Sequence, residues 1–193
     1  KETDFLDHYI RNFSGIELNT THYQVYSAAT IQKWAEKAAG TDFRFCPKFP
    51  QSISHYSDLS SAKAHAETDR FLDSIVNFGK HLGPLFLQLS EKFGPQRREA
   101  LFSYLQKLPE DIDITLEVRH PDWFGDPAAR NELFTVLNEL AVGAVITDVS
   151  GRAVKQFSTP GKSVDLSNLS KGVYIMSATT EEGKIVIKKI MKE

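Results

Sequence analysis

Apolar residues recur along the first three-quarters of the chain in two alternating rhythms. Phe5, Leu6, Tyr9, Ile10 and Phe13 fall at helical spacing and predict an opening amphipathic helix. GIELN (15–19) reads as a short strand. Ser27 can cap a helix carrying Ile31, Trp34, Ala35 and Ala38, which Gly40 stops. FRFCPK (43–48) is the next strand. Beyond a polar loop, Phe71, Leu72, Ile75, Val76 and Leu82 line one side of a longer helix that ends at Gly83. LFLQL (85–89) is the third strand. Pro95 suits a first helical turn, and Leu101, Leu105 and Leu108 follow it. ITLEV (114–118) is the fourth strand, Asp126–Pro127 opens a helix bearing Leu133, Val136, Leu137 and Leu140, and GAVITD (143–148) is the fifth strand.

Strands apolar on both sides and separated by amphipathic helices predict a parallel sheet covered by helices. Right-handed crossovers then leave an open doubly wound sheet or a barrel. Neither GxGxxG nor GxxxxGK[ST] follows any strand, so no dinucleotide or P-loop site is indicated. From Gly151 the rhythm changes. RAVKQF, VYIMSAT and KIVIKKI are short, β-prone and separated by turn signals, and the last two read as a hairpin, 173–179 with 184–190. The expected organisation is an α/β domain over 1–149 and a β region over 150–193. ITDVSGRAVKQF sits on that junction, and the neighbour of strand 143–148 decides its owner. Parallel pairing with 114–118 assigns it to the α/β sheet, and antiparallel pairing with the tail alone assigns it to the β region.

Composition narrows the function classes. The chain has 193 residues, enough to bury a core, with ordinary hydrophobic (41%) and charged (25%) fractions for a folded domain. A net charge of −2, with basic clusters only at Arg97–Arg98 and in the Lys188, Lys189, Lys192 tail, argues against a nucleic-acid partner held by phosphate neutralisation. The single cysteine, Cys46, excludes an internal disulfide. No apolar run approaches the roughly 20 residues of a membrane span, and no signal-peptide pattern opens the chain.

The chemistry lies at the strand ends. Glu17 and Asn19 close the first strand, Lys48 the second, Gln88 the third, Glu117 and Arg119 the fourth and Asp148 the fifth. Ligands bind at the carboxyl ends of parallel strands, and period two places Glu17 with Asn19, and Glu117 with Arg119, on common faces. Two readings follow. One is a structural ion-pair network in which Lys48 or Arg119 neutralises Glu17 or Glu117. The other, favoured because five strands contribute at one end, is a pocket for a polar small molecule such as a sugar or a phosphorylated compound. Glu17, Lys48, Glu117 and His120 are its catalytic candidates, with a Glu as general base and Lys48 or Arg119 stabilising an anion. Asn19, His55, Gln88, Arg119, Trp123 and Asp148 are its binding candidates, with Trp123 as a pocket wall.

His55 or His120 can shuttle protons or join Glu17, Glu117 and Asp148 around a metal, but no metal set is assigned and no cofactor is indicated. Glu117 and His120 have the i, i+3 spacing of a metal motif that works on a helix rather than a strand end. His22 is ambiguous, and His8, His65 and His81 read as surface residues on helices. Cys46 reads as a small buried hydrophobe, and Trp34 as core.

FSGIELNTTHY, TIQKWAEK, FRFCPKFPQSISHY, LGPLFLQLSEKFGP and LEVRHPDWF keep an order that resembles the YecE-like family, domain of unknown function 72, over about residues 3–148. The resemblance implies a TIM-type barrel of unestablished activity, with Glu17, Asn19, Lys48, Gln88, Glu117, Arg119, His120 and Asp148 at its motif positions. The family's first strand, of Gly-Cys/Thr-Ser/Ala-x-Trp type, and its last two strands have no counterpart here. The expected fold is thus a partial TIM-type barrel, five parallel strands with terminal strands missing, followed by a small antiparallel β segment. GRAVKQF, VDLSNLSKGVYI and the terminal KKI-x-K resemble the second half of the C-terminal sorting domain of type IX secretion substrates. That resemblance implies the type IX machinery as a partner and a secreted or cell-surface location, whereas the YecE-like part implies the cytoplasm. The chain can accordingly be a binder with a sorting tail, a targeted carrier without activity, a truncated hybrid, or an α/β protein whose tail covers a sheet edge.

Overall fold

The computed structural model describes residues 2–147, 153–156, 172–179 and 185–192. Helix α1 (Glu2–Asn12) forms where the opening apolar repeat predicts it. Leu6, Tyr9 and Ile10 pack on the core, while Phe5 and Phe13 stay exposed. Those two rings instead flank Tyr9 at 5.3 and 4.6 Å, the i, i+4 contact of one helix face.

The βα alternation then runs β1 (Gly15–Leu18), α2 (Ala28–Lys37), β2 (Arg44–Pro47), α3 (Gln51–Ser54), α4 (Ala62–Ile75), β3 (Leu85–Gln88), α5 (Arg98–Leu105), β4 (Ile114–Glu117), α6 (Asp122–Gly125), α7 (Pro127–Glu139) and β5 (Gly143–Thr147). Local chemistry fixes the helix starts. Ser27 Oγ accepts the Thr30 N–H at 3.3 Å, Ser61 Oγ accepts that of Ala64 at 3.2 Å, and Asp126 Oδ1 accepts that of Ala128 at 2.8 Å ahead of Pro127. Each side chain satisfies an amide that the helix leaves unpaired.

Two boundaries differ from the sequence reading. The stretch after β2 is not all loop, since Gln51–Ser54 forms a short helix. The helix expected to end at Gly83 stops at Ile75 and continues as a 3₁₀ segment, Val76–His81, broken at Gly79 with φ +53°. Gly83 has another role. A Cβ there would lie 2.7 Å from Cys46 Sγ and 3.1 Å from Arg44 Cβ, so only glycine lets this chain approach β2. The kink also turns His81 inward. It is buried, with Nδ1 2.9 Å from the Phe43 carbonyl, and is not the surface residue its helical setting predicted.

The strands run parallel in sequence order. β1 pairs with β2 from Gly15↔Arg44 to Leu18↔Pro47, and β3 with β4 from Leu85↔Ile114 to Gln88↔Glu117. Parallel bridges Phe45↔Leu82 and Lys48↔Phe86 join β2 to the β3 segment. β5 pairs parallel with β4 through Thr115↔Gly143 and Leu116↔Ala144, which assigns 143–147 to the α/β sheet. Its other edge pairs antiparallel with β6 (Ala153–Gln156), with an irregularity between Ile146 and Thr147. β7 (Gly172–Thr179) and β8 (Ile185–Lys192) pair antiparallel in a separate two-stranded sheet.

The core lies on one face of the parallel strands. Leu85, Leu87, Ile114 and Leu116 belong to it with Phe45, Ile31, Phe71, Ile75, Phe78, Leu133 and Leu137 from strand and helices. Phe45 stacks on Phe78 with centroids 4.5 Å apart. The sheet's other face is polar at its carboxyl end.

Candidate functional site

Register builds the site. Residues paired across a parallel ladder share a face, so Glu17↔Cys46 and Gln88↔Glu117 each point the same way. The Lys48↔Phe86 bridge links the two pairs. Glu17, Lys48, Gln88 and Glu117 thereby converge at the carboxyl ends of four strands. Asn19 joins them as the first residue of a 3₁₀ turn, Asn19–His22, that begins where β1 stops. Thr21, buried in that turn, ties it to the end of β2. Its Oγ1 accepts the Lys48 N–H at 2.9 Å and lies 2.7 and 2.8 Å from the carbonyls of Leu18 and Lys48. One hydroxyl thus fixes where Lys48 leaves the backbone.

Glu117 is the centre of the site, with 4% of its surface exposed. Oε2 accepts the Gln88 side-chain amide at 2.7 Å. Oε1 is buried without a hydrogen-bond partner among the described residues, and Arg119 Nε is 3.7 Å away, beyond hydrogen-bond reach. Burial pushes this carboxyl above the usual glutamate range, against the pull of the Gln88 hydrogen bond and of the Arg119 and Lys48 charges. Lys48, only 9% exposed, has Nζ 3.4 Å from Asn19 Oδ1, 3.8 Å from Glu17 Oε1 and 5.3 Å from the Phe86 ring centre. Among the described residues, three ammonium donors thus meet one long hydrogen bond and one long ion pair. The short ion pair lies at the rim, where Arg119 Nη2 is 2.9 Å from the exposed Glu91.

Two histidines border this ring. His22 Nδ1 lies 2.8 Å from the Phe49 carbonyl, so it carries the proton and leaves Nε2 an acceptor in the neutral ring. His55 Nδ1 lies 2.8 Å from Ser54 Oγ, and the two imidazoles pack edge-on at 5.0 Å. Burial lowers the pKa of both, and the Lys48 charge lowers both further. His22 was ambiguous in sequence. Its only signal was a place three residues past Asn19, and the 3₁₀ turn converts that spacing into proximity.

His120 makes its contacts within its own turn: Nδ1 accepts the Asp122 N–H at 3.2 Å and lies 3.7 Å from Asp122 Oδ2. The pocket wall expected at Trp123 is corrected, because the ring is fully buried and its indole N–H donates to the Phe93 carbonyl at 2.8 Å. It anchors α6 against the loop after β3 and presents no surface to a ligand. Asp148 lies outside the described residues. Cys46 is half-buried rather than buried, and burial together with the Glu17 charge pushes its thiol up, away from nucleophilic chemistry. Among the described residues no three His, Cys, Asp or Glu side chains form a group able to hold a metal ion. No described helix is long and apolar enough to cross a membrane.

Comparisons with known proteins agree with this architecture. A family model described as "Protein of unknown function DUF72" matches residues 1–176 and so runs through the GRAVKQF and VDLSNLSKGVYI segments. The UPF0759 protein YecE of Escherichia coli K12 is 34% identical over 145 residues, covering 74% of this chain and 52% of the relative, and its O157:H7 counterpart matches equally. The chain thus spans about half the length of these curated relatives. A crystal structure of a DUF72 family protein from Enterococcus faecalis V583 is similar with a TM-score of 0.63 and 20% identity, over 80% of this chain and 64% of that one. Another, from Thermotoga maritima MSB8, gives 0.55 and 22%, over 77% and 56%.

Proposed function

This chain belongs to the DUF72 family of proteins of unknown function, and on that premise we propose that it binds a polar small molecule at the carboxyl ends of β1–β4. The observation that carries the reading is Glu117 Oε1, a buried carboxylate oxygen with no hydrogen-bond partner among the described residues. Leaving such an atom unpaired costs about 1–3 kcal/mol, which a bound donor would return. The loose ion pairs argue in the same direction. A ring whose task was structural would close its contacts, whereas Lys48 to Glu17 and Arg119 to Glu117 stand at 3.8 and 3.7 Å. In this reading Glu117 and Lys48 anchor the ligand, and Asn19, Gln88, Arg119 and His55 surround it. Catalysis at this ring would begin at Glu117, since a carboxyl raised above its usual range can both give and take a proton.

The strand run is read as an arc of a TIM-type barrel. Five parallel strands follow in sequence order with no reversal, so among the described strands β1–β5 there is no switch point of the kind a doubly wound sheet uses for its ligand. A thermal-shift and NMR screen of polar metabolites tests the site. Glu117→Gln and Lys48→Ala are expected to weaken the hits about tenfold or more while unfolding stays cooperative, and hits unchanged in both variants would contradict the proposal.

For the tail a second proposal rests on the GR-x-V, VDLSNLSKGVYI and KKI-x-K pattern alone, that it acts as a type IX secretion address. Residues 150–193 grafted onto a reporter in a type IX host should carry it to the surface. A reporter left in the periplasm would count against it.

A further inference from the structure

A row of four aromatic rings runs beside the polar ring. Tyr23 packs edge-on against His22 at 5.4 Å, His22 against His55 at 5.0 Å, and His55 against Tyr56 at 6.4 Å. The two outer tyrosines are largely bare, 71% and 78% exposed, although large aromatic rings usually lose most of their surface on folding. The row borders the site, because His22 shares its 3₁₀ turn with Asn19 and Thr21 and its Nδ1 lies 2.8 Å from the carbonyl of Phe49, the residue after Lys48. Such rings offer flat apolar faces with polar tips.

The charges at the ring select against an anion. Among the described residues two cations, Lys48 and Arg119, meet three carboxylates, Glu17, Glu91 and Glu117, and the Arg119 guanidinium is already engaged by Glu91 at 2.9 Å. A phosphate entering here would find no surplus positive charge. The atom that lacks a partner is a carboxyl oxygen, the natural complement of a hydroxyl. Asn19 and Gln88 interleave amide donors and acceptors with it, a pattern that suits groups able both to donate and to accept.

Resting on the small-molecule reading above, we propose that the ligand is a neutral sugar, its hydroxyls on Glu117, Asn19 and Lys48 and its ring against the Tyr23–His22–His55–Tyr56 row. The class is set by two independent features, an unpartnered carboxyl where hydroxyls would sit and bare ring faces where the C–H face of a pyranose or furanose would lie. The test is titration of the full chain, by calorimetry and by NMR shifts, with neutral methyl glycosides of hexoses and pentoses. Inorganic phosphate and the corresponding sugar phosphates form the other arm. A neutral glycoside should bind saturably and phosphate should not. Glu117→Gln should weaken the glycoside about tenfold, through loss of a charge-assisted hydrogen bond. Tyr56→Ala, at an exposed position where folding is not at risk, should weaken it about two- to tenfold. Binding of phosphate or sugar phosphates with neutral glycosides silent would overturn the sugar assignment and leave the small-molecule reading standing. No saturable binding in either arm would overturn the sugar assignment alone, whereas glycoside binding indifferent to Glu117→Gln would overturn both.

Discussion

Two faces of β3 and β4 receive opposite treatment from residues that alternate one by one along the chain. Leu85, Leu87, Ile114 and Leu116 point into a continuous apolar core with Phe45, Phe71 and Phe78. Phe86, Gln88, Thr115 and Glu117 occupy the other face, and there burial brings a carboxyl, an ammonium and two amides together instead. The apolar face follows from area removed from water and needs no particular geometry. Nothing comparable supports the polar face, where every buried charge must be paired or carries a penalty. The two faces are equally buried at β4 yet differ in how completely their groups are satisfied. That contrast separates what holds the fold from what the fold holds ready for a partner.

Removing a ring from the apolar face should give the largest effect. Phe45→Ala is expected to lower stability by about 3–5 kcal/mol in denaturant unfolding, and a loss under about 1 kcal/mol would break the comparison. On the polar face, Gln88→Leu takes away the donor that Glu117 Oε2 has among the described residues and should cost about 1–3 kcal/mol. The double variant Gln88→Leu/Glu117→Leu should recover much of that loss, because no buried carboxyl is then left unsatisfied; an additive double variant would show that Gln88 acts through packing. Arg119→Ala, whose short contact is to an exposed Glu91, should cost only about 0–1 kcal/mol in the same measurement.

The smallest effect is a pH dependence from His22 and His55. Their folded pKa values lie below the ordinary histidine value, first because of burial. Their contribution to stability is therefore present above the ordinary value and lost as pH falls through the lowered one. A melting-temperature profile should decline on that acid side and flatten in His22→Gln/His55→Gln, and an unchanged profile would assign the slope to other groups.

Much of this molecule was legible along the chain, and the reason is local. The five strands are short apolar runs bounded by turns, and Ser27 and Asp126 announce their helices by capping chemistry that acts within three residues. What escaped depends on contacts far apart in sequence. Gln88 meets Glu117 only through the β3–β4 register, and Thr21 meets Lys48 only because a 3₁₀ turn returns to β2. Gly83 resembles a helix stop, but it serves a close approach to Cys46. Trp123 follows a motif-rich loop, and a loop position says nothing of which way an indole turns. At the junction, the parallel pairing of Gly143 and Ala144 with β4 shows that the strand before the tail belongs to the α/β sheet, with β6 added on its outer edge. β5 pairs through both edges, so the condition that would have given it to the β region, pairing with the tail alone, is not met.

The most direct test of the contrast between the faces is the titration of Glu117 itself, followed by carboxyl ¹³C NMR in the ligand-free protein with Glu117→Gln to assign the resonance. A group taken out of water with one oxygen unpartnered holds its proton above the usual glutamate range, so its stabilising contribution is present below the ordinary value and lost as pH rises through the folded one. A midpoint raised in this way is the expected result. A Glu117 carboxyl titrating at or below the ordinary glutamate value would mean that the ring is already satisfied from within, and would contradict it.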